Sequence, residues 1–339
     1  MKQTDIKEVK QLLATPKNIV IVTHWSPDGD AMGSSLGLYN YLIQQKHHVT
    51  VITPNDYPAF LNWLPGNNKV LNYQLKTKIA KPIIAKADII FCLDFNSLKR
   101  IEVLGVEVGK AKAIKFIIDH HLQPEDFAKY MLHSTEACSA CELVFDFINL
   151  MADGKSINKN IANCLYTGMM TDTGSFRFPS TTARTHKIVA ALIDAGANNS
   201  EIHNRIYDDN TESRLRLLGY CLSEKLTVLK EYNTAFFSLR ADELKRFNYK
   251  KGDTESVVNY ALSIEGICFA AFFVERDEAV KTSFRSKGTF DVNLFARKNF
   301  NGGGHAHAAG GQSDLTLDEA VIKFVSLLPE YKKQLNKKQ

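Results

Sequence analysis

Short apolar runs rich in β-branched residues, separated by longer stretches of helical period, dominate the first half of the chain. Asn18 to Thr23, His48 to Thr53, Asp88 to Leu93 and Ala113 to Ile118 have the length and residue types of buried strands. Ala31 to Gln45 instead repeats apolar residues at helical spacing, at Met32, Leu36, Leu38, Tyr39 and Leu42. Its small residues Gly33, Ser34 and Ser35 predict a helix packed closely on a sheet. Glu136 to Asn149 and Ile157 to Met170 read as two further helices. This rhythm predicts a parallel sheet flanked by helices.

The pattern changes after Thr182. From there to about Leu229 it is helical and charged (Glu201, Arg205, Asp208, Asp209, Glu212, Arg214, Arg216), without the strand runs seen earlier, and predicts a helical connector. Strands return at Ala235 to Ser238, Ile267 to Val274 and Ala279 to Ser286, with Asp277 marking a hairpin turn between the last two. Leu317 to Leu328 closes the chain's pattern as an amphipathic helix. The expected organisation is an α/β fold in two parts: residues 1–190 around the parallel sheet, a helical linker at 191–229, and a smaller α/β domain at 230–339.

Composition agrees with two cores. At 339 residues, 45% of them hydrophobic, the chain suits two soluble globular domains better than one. A net charge of +5 is mild, and part of it sits in the tail from Tyr331 to Lys338. It permits an anionic substrate without requiring one. The opening residues have no apolar run behind their charges, and no stretch approaches the roughly 20 apolar residues of a membrane span, so a cytoplasmic enzyme is expected. Six scattered cysteines in apolar segments predict buried thiols in a reducing compartment. Cys138 and Cys141 have C-x-x-C spacing but no second pair nearby, and read as small hydrophobes borne on a helix.

Candidate chemistry gathers where apolar runs end. Thr23-His24-Trp25-Ser26-Pro27-Asp28-Gly29-Asp30, Leu93-Asp94, Asp119-His120-His121 and Thr171-Asp172-Thr173-Gly174 each put acids or imidazoles at a turn after an apolar run. In open parallel sheets, loops converge beyond the carboxyl ends of the strands. A single Asp there is usually a turn former or helix cap, and a lone His an ordinary surface or hydrogen-bonded residue, as with His47, His48, His133, His186 and His203. The joint pattern points elsewhere, because an apolar strand ending in Asp-His-His has no packing rationale and buries polar groups at a cost. Mixed carboxylate and imidazole donors without thiolate suit manganese, with magnesium as the alternative. Two such ions about 3.5–4 Å apart activate water for attack on phosphate esters.

At these residues the chain resembles the DHH family of phosphoesterases, and the likeness runs its whole length. His24, Asp28 and Asp30, then Asp94, Asp119-His120-His121 and Asp172 follow the family's order. Gly302-Gly303-Gly304-His305-Ala306-His307-Ala308-Ala309-Gly310 resembles the glycine-rich signature of the DHH-associated second domain. The resemblance implies His24, Asp28 and Asp94 as ligands of one metal and Asp30, Asp94, His120 and Asp172 as ligands of the other, with Asp94 bridging. It implies that His121 faces the scissile phosphate, stabilising it or supplying a proton to the leaving oxygen, and that Asp119 orients a histidine from behind.

The second domain is expected to read the substrate. Three successive glycines predict an anion nest of backbone N–H groups at Gly302, Gly303 and Gly304, beside His305. Arg285, alternating with Phe284 on a predicted strand, is a candidate to fork onto a phosphate. Arg177 and His307 are further candidates whose roles stay open. A stand-alone two-domain member of the family implies hydrolysis of very short oligoribonucleotides to mononucleotides and removal of phosphate from adenosine 3′,5′-bisphosphate. The alternatives are action on linear or cyclic dinucleotide messengers and, less favoured, a non-catalytic nucleotide-binding module. The partners expected are these substrates, with no membrane and room for a homodimer.

Overall fold

The computed structural model describes residues 3–152, 156–276 and 279–337. The chain divides into two compact units, Met1–Asp209 and Asn210–Gln339, so the division falls inside the stretch expected to be a connector.

In the first unit the elements run α1 (Gln3–Leu12), β1 (Asn18–Val22), α2 (Gly29–Gln44), β2 (His48–Thr53), β3 (Leu71–Asn72), α3 (Tyr73–Ala85), β4 (Ile89–Leu93), α4 (Glu102–Lys110), β5 (Ile114–Asp119), β6 (Tyr130–His133), α5 (Ala140–Ala152), α6 (Lys159–Asp172), α7 (Ala183–Asp194) and α8 (Asn199–His203). The strands form one sheet in the order β3-β2-β1-β4-β5-β6, and every pairing is parallel. A parallel sheet must be covered on both faces. Alternation along each strand supplies the two cores: Ile19, Ile21, Ile89 and Phe91 pack with Met32, Leu36 and Phe147 on one face, while Val20, Val22, Ile90 and Cys92 pack with Ile84, Leu104 and Val108 on the other.

Sequence order reverses direction in the sheet between β1 and β4. Their carboxyl ends therefore open a crevice where loops diverge. Among the small residues of α2, Gly33 serves a different neighbour from the one expected. Gly33 faces α6, where an added Cβ would lie 2.5 Å from the Cys164 carbonyl oxygen, so glycine lets two helices close together rather than a helix onto the sheet.

The second unit holds α9 (Glu212–Tyr220), β7 (Leu226–Leu229), β8 (Thr234–Leu239), α10 (Ala241–Arg246), α11 (Val257–Leu262), β9 (Phe269–Arg276), β10 (Ala279–Ser286), α12 (Val292–Asn299), β11 (Gly303–His305), β12 (Ala308–Ser313) and α13 (Leu317–Leu335). Its sheet runs β11-β12-β10-β9-β8-β7, antiparallel except between β8 and β9. Phe269, Phe273, Phe284, Phe295, Phe300 and Phe324 are fully buried together in its main core. The expected connector is helical only in part. Its last four residues are β7, an edge strand too short and too exposed to show an apolar run. Pairing of β9 with β10 is antiparallel, and the turn expected at Asp277 lies outside the described residues. The closing helix runs past Leu328 because Leu335 is buried as well. All six cysteines are buried and free.

Candidate metal centre

β1, β4 and β5 lie side by side, and the residues at their carboxyl ends meet. His24 follows β1 by two residues, Asp94 comes directly after β4, and Asp119 ends β5. Asp28 is the N-cap of α2; its Oδ1 accepts the N–H groups of Asp30 and Ala31, both at 3.0 Å. The Pro-Asp-Gly-Asp turn thus starts a helix in the ordinary way and sets Asp30 in that helix's first turn. Asp172 ends α6 and reaches the same place from the side.

The donor atoms converge. His24 Nε2 lies 3.7 Å from Asp28 Oδ1 and 3.4 Å from Asp94 Oδ2. His120 Nε2 lies 3.4 Å from Asp94 Oδ1, 3.6 Å from Asp30 Oδ2 and 3.6 Å from Asp172 Oδ2. Asp94 therefore turns one oxygen to each imidazole. Its backbone sits at φ +63°, a left-handed conformation that costs a non-glycine residue about 1–2 kcal/mol.

Hydrogen bonds on the far sides of the rings fix their tautomers. His24 Nδ1 donates to the Trp25 carbonyl at 2.8 Å, and His120 Nδ1 to the Ala137 carbonyl at 3.3 Å. A carbonyl only accepts, so each neutral ring carries its lone pair on Nε2, toward the carboxylates. His121 is held differently: Asp119 accepts its ring Nδ1–H at 2.7 Å and its backbone N–H at 3.1 Å. His133 Nε2, read as an ordinary residue, donates to the His121 carbonyl at 2.7 Å and steadies the same turn.

These residues fit a divalent cation. The separations of 3.4 to 3.7 Å exceed those of a good N–H···O bond. They approach the roughly 3.0–3.5 Å expected between ligand atoms about 2.1 Å from a shared ion. Asp94 Oδ1 is buried with no hydrogen-bond partner, a state that native structures rarely leave unexplained. Electrostatics agree. Burial, together with the carboxylates of Asp94 and Asp172, holds Asp30 well above the usual carboxylate range. Burial also opposes charge on His24, yet Asp28 and Asp94 push its pKa up to about 10, and Asp94 leads the groups that raise His120. The cluster draws positive charge to itself. Cys141, the nearest thiol, is pushed well above its ordinary value by burial and offers no thiolate.

Two contributors escaped the sequence reading. Arg100, on the turn Leu98–Ile101 after Asp94, accepts the Trp25 N–H at 2.9 Å through its carbonyl. Burial holds the His121 ring below its usual value despite Asp119, and the Arg100 charge adds to that lowering. The basic pair Lys99-Arg100 after an Asp-ended strand was the available signal. The N-terminus of α5 also takes part: Ala140 N–H donates to Asp30 Oδ2 at 2.6 Å and Cys141 N–H to Asp30 Oδ1 at 2.9 Å.

The expected substrate residues belong to the second unit. Arg285 lies on β10, where Nη1 donates to the Phe284 carbonyl at 2.9 Å. Gly303, Gly304 and His305 form β11, a strand rather than the expected nest loop. Gly304 N–H donates to Asn293 Oδ1 at 3.0 Å and Gly302 N–H to the Ala296 carbonyl at 3.3 Å, and Gly303 is paired with Gly310 in the ladder with β12. Close strand packing accounts for two of the glycines: an added Cβ would meet the Gly310 carbonyl oxygen at 2.0 Å at Gly302 and the Ala308 carbonyl oxygen at 2.5 Å at Gly304, φ +151°, whereas Gly303 has room for one. Arg177 Nε donates to the Gly174 carbonyl at 2.7 Å, and His307 Nδ1 pairs with Ser286 Oγ at 3.0 Å.

Comparison with known proteins matches residues 18–169 to the N-terminal domain of the DHH family and residues 233–334 to the DHHA1 domain. The bifunctional oligoribonuclease and PAP phosphatase NrnA of Bacillus subtilis is 30% identical over 92% of this chain and 94% of that protein. NrnA of Thermus thermophilus is 30% identical over 96% of this chain and 93% of its own length. Among solved structures, an exopolyphosphatase-related protein from Bacteroides fragilis superposes with a TM-score of 0.94 at 44% identity, covering 99% of this chain and 98% of that one.

Proposed function

This chain belongs to the DHH family of phosphoesterases and carries a DHHA1 domain, and on that premise we propose that it hydrolyses very short oligoribonucleotides to mononucleotides and dephosphorylates adenosine 3′,5′-bisphosphate, using two divalent cations. The observation that carries the two-cation reading is Asp94, one oxygen 3.4 Å from His24 Nε2 and the other 3.4 Å from His120 Nε2. In this reading His24, Asp28 and Asp94 hold one ion, while Asp30, Asp94, His120 and Asp172 hold the other. Oxygen and imidazole donors favour manganese, with magnesium as the second choice.

When bound, such ions supply Lewis acidity at the phosphoryl oxygens and a water nucleophile at neutral pH. The chain's own groups do the rest. Asp119 accepts the Nδ1–H of His121, which supports the reading in which Nε2 of the protonated ring donates to the leaving oxygen. Arg285 and His305 are assigned to a substrate phosphate, with Gly302, Gly303 and Gly304 shaping the backbone beside them. The similarity to NrnA over nearly the whole chain supports the substrate class.

The test is a comparison of initial rates with manganese on diribonucleotide, longer RNA, adenosine 3′,5′-bisphosphate, linear diadenylate and pyrophosphate. Fastest turnover of diribonucleotide and the bisphosphate is expected. Preference for linear diadenylate would move the chain to the messenger-degrading alternative, and no turnover of any substrate would leave the binding-module reading.

A further inference from the structure

Asp30 is oriented by a second helix. It sits in the first turn of α2, 1% exposed, and both its carboxylate oxygens accept N–H groups from the start of α5, those of Ala140 and Cys141. The first N–H groups of any helix lack intrahelical partners and must be satisfied elsewhere. In α5 three of them have named acceptors. The first two go to Asp30, and the third, from Glu142, goes to Ser139 Oγ at 3.1 Å. Glu142 reaches back with Oε2 to the Cys138 N–H at 3.2 Å, so Ser139 and Glu142 form a variant of the capping box.

Glu142 is 4% exposed, and its other oxygen is gripped from outside. Arg184, in the first turn of α7, donates through Nε to Glu142 Oε1 at 2.9 Å and through Nη2 to Asp146. A chain of contacts therefore runs from an Arg side chain 56% exposed, through a buried carboxylate and the cap of α5, to both oxygens of Asp30. Two N–H bonds from one rigid helix end prevent the Asp30 carboxyl from rotating. They limit which of its lone pairs remain for the neighbouring His120 Nε2, 3.6 Å from Oδ2, and Asp172.

We propose that Ser139, Glu142 and Arg184 are positioning residues for the cation held at Asp30, acting through the N-terminus of α5. The inference rests on Asp30 being a cation ligand. Groups that orient a ligand typically change metal affinity by about 10–100-fold when removed, whereas a helix cap that serves stability alone changes the metal-free and metal-loaded protein equally.

Those outcomes separate in one experiment on the full chain. Manganese binding is titrated by the electron paramagnetic resonance signal of the free ion, and thermal unfolding is followed in chelator and in manganese. Wild type, Asp30→Asn, Glu142→Gln and Arg184→Ala are compared. Asp30→Asn is expected to lose one bound ion. Glu142→Gln should bind the same number of ions as wild type, one of them about tenfold more weakly, with a smaller manganese-induced rise in melting temperature. Arg184→Ala, the milder change should Glu142→Gln not fold, should show a smaller loss in the same direction. Wild-type manganese affinity in both Glu142→Gln and Arg184→Ala, with melting temperatures lowered equally in chelator and manganese, overturns the inference. Unchanged binding in Asp30→Asn overturns the ligand reading beneath it.

Discussion

Asp119 takes two hydrogen bonds from His121, the ring Nδ1–H at 2.7 Å and the backbone N–H at 3.1 Å, and is itself fully buried. One carboxylate thereby fixes both the position and the tautomer of the ring. Asp119→Asn keeps the shape but presents an amide N–H or a weaker acceptor to Nδ1. If His121 supplies a proton, His121→Asn should lower kcat by about 10²–10⁴-fold, and Asp119→Asn should give a smaller loss in the same direction. Manganese binding by both variants should stay near wild type. Loss of the ions in His121→Asn would show that the ring is a ligand and not a proton donor.

Asp94 faces the imidazoles of His24 and His120 and, at 3.6 Å, His121, so its removal should damage the cluster as a whole. Asp94→Asn is expected to lose hydrolysis of diribonucleotide and adenosine 3′,5′-bisphosphate together, along with the manganese-induced rise in melting temperature. Chelation of the wild-type protein should imitate it. Retained turnover of either substrate by the variant would end the bridging assignment.

Much of this centre was legible because its residues break packing rules at predictable places. An apolar strand that ends in Asp94, or in Asp119-His120-His121, has no use for those groups in a core, and sheet topology brings the ends of β1, β4 and β5 together. What stayed hidden depends on long-range contact. Ser139 and Glu142 look like any helix cap, and nothing near residue 140 in sequence announces that Asp30, 110 residues away, completes it. For Gly302 to Gly304 the backbone form was not legible. Glycine runs suit anion nests and tightly paired strands alike, and only pairing of β11 with β12 tells which constraint applies. β7 escaped because an exposed four-residue edge strand carries too little apolar signal.

Substrate capture should separate from chemistry. Arg285 and His305 lie on strands β10 and β11 of the second sheet, not among the proposed metal ligands. Arg285→Ala and His305→Ala should raise KM by about tenfold or more while leaving kcat within a few fold, and manganese binding should not change. Equal falls in kcat and kcat/KM, with KM unchanged, would mean that these groups act in the transition state and not in capture.

The second unit carries its own pH-dependent lock. Glu243, in α10, accepts the Arg240 N–H at 2.8 Å, the Tyr220 hydroxyl at 2.5 Å and the Lys225 ammonium at 2.9 Å. Burial raises its pKa, but these three donors outweigh burial and leave it below the ordinary glutamate value of 4.5. A carboxyl whose folded pKa is depressed stabilises the fold above its unfolded pKa, and the contribution disappears as pH falls through the folded value. Hydrogen bonds to a charged group contribute about 1.5–3 kcal/mol each where both partners are held, and the side chain is only 14% exposed. Glu243→Gln should therefore lower urea stability by about 1–2 kcal/mol at pH 7. The gap from wild type should begin to shrink near pH 4.5 and close further into acid. Urea unfolding of both proteins across that range is the measurement, and a gap that stays constant into acid would show that packing around Glu243, and not its charge, holds α10 in place.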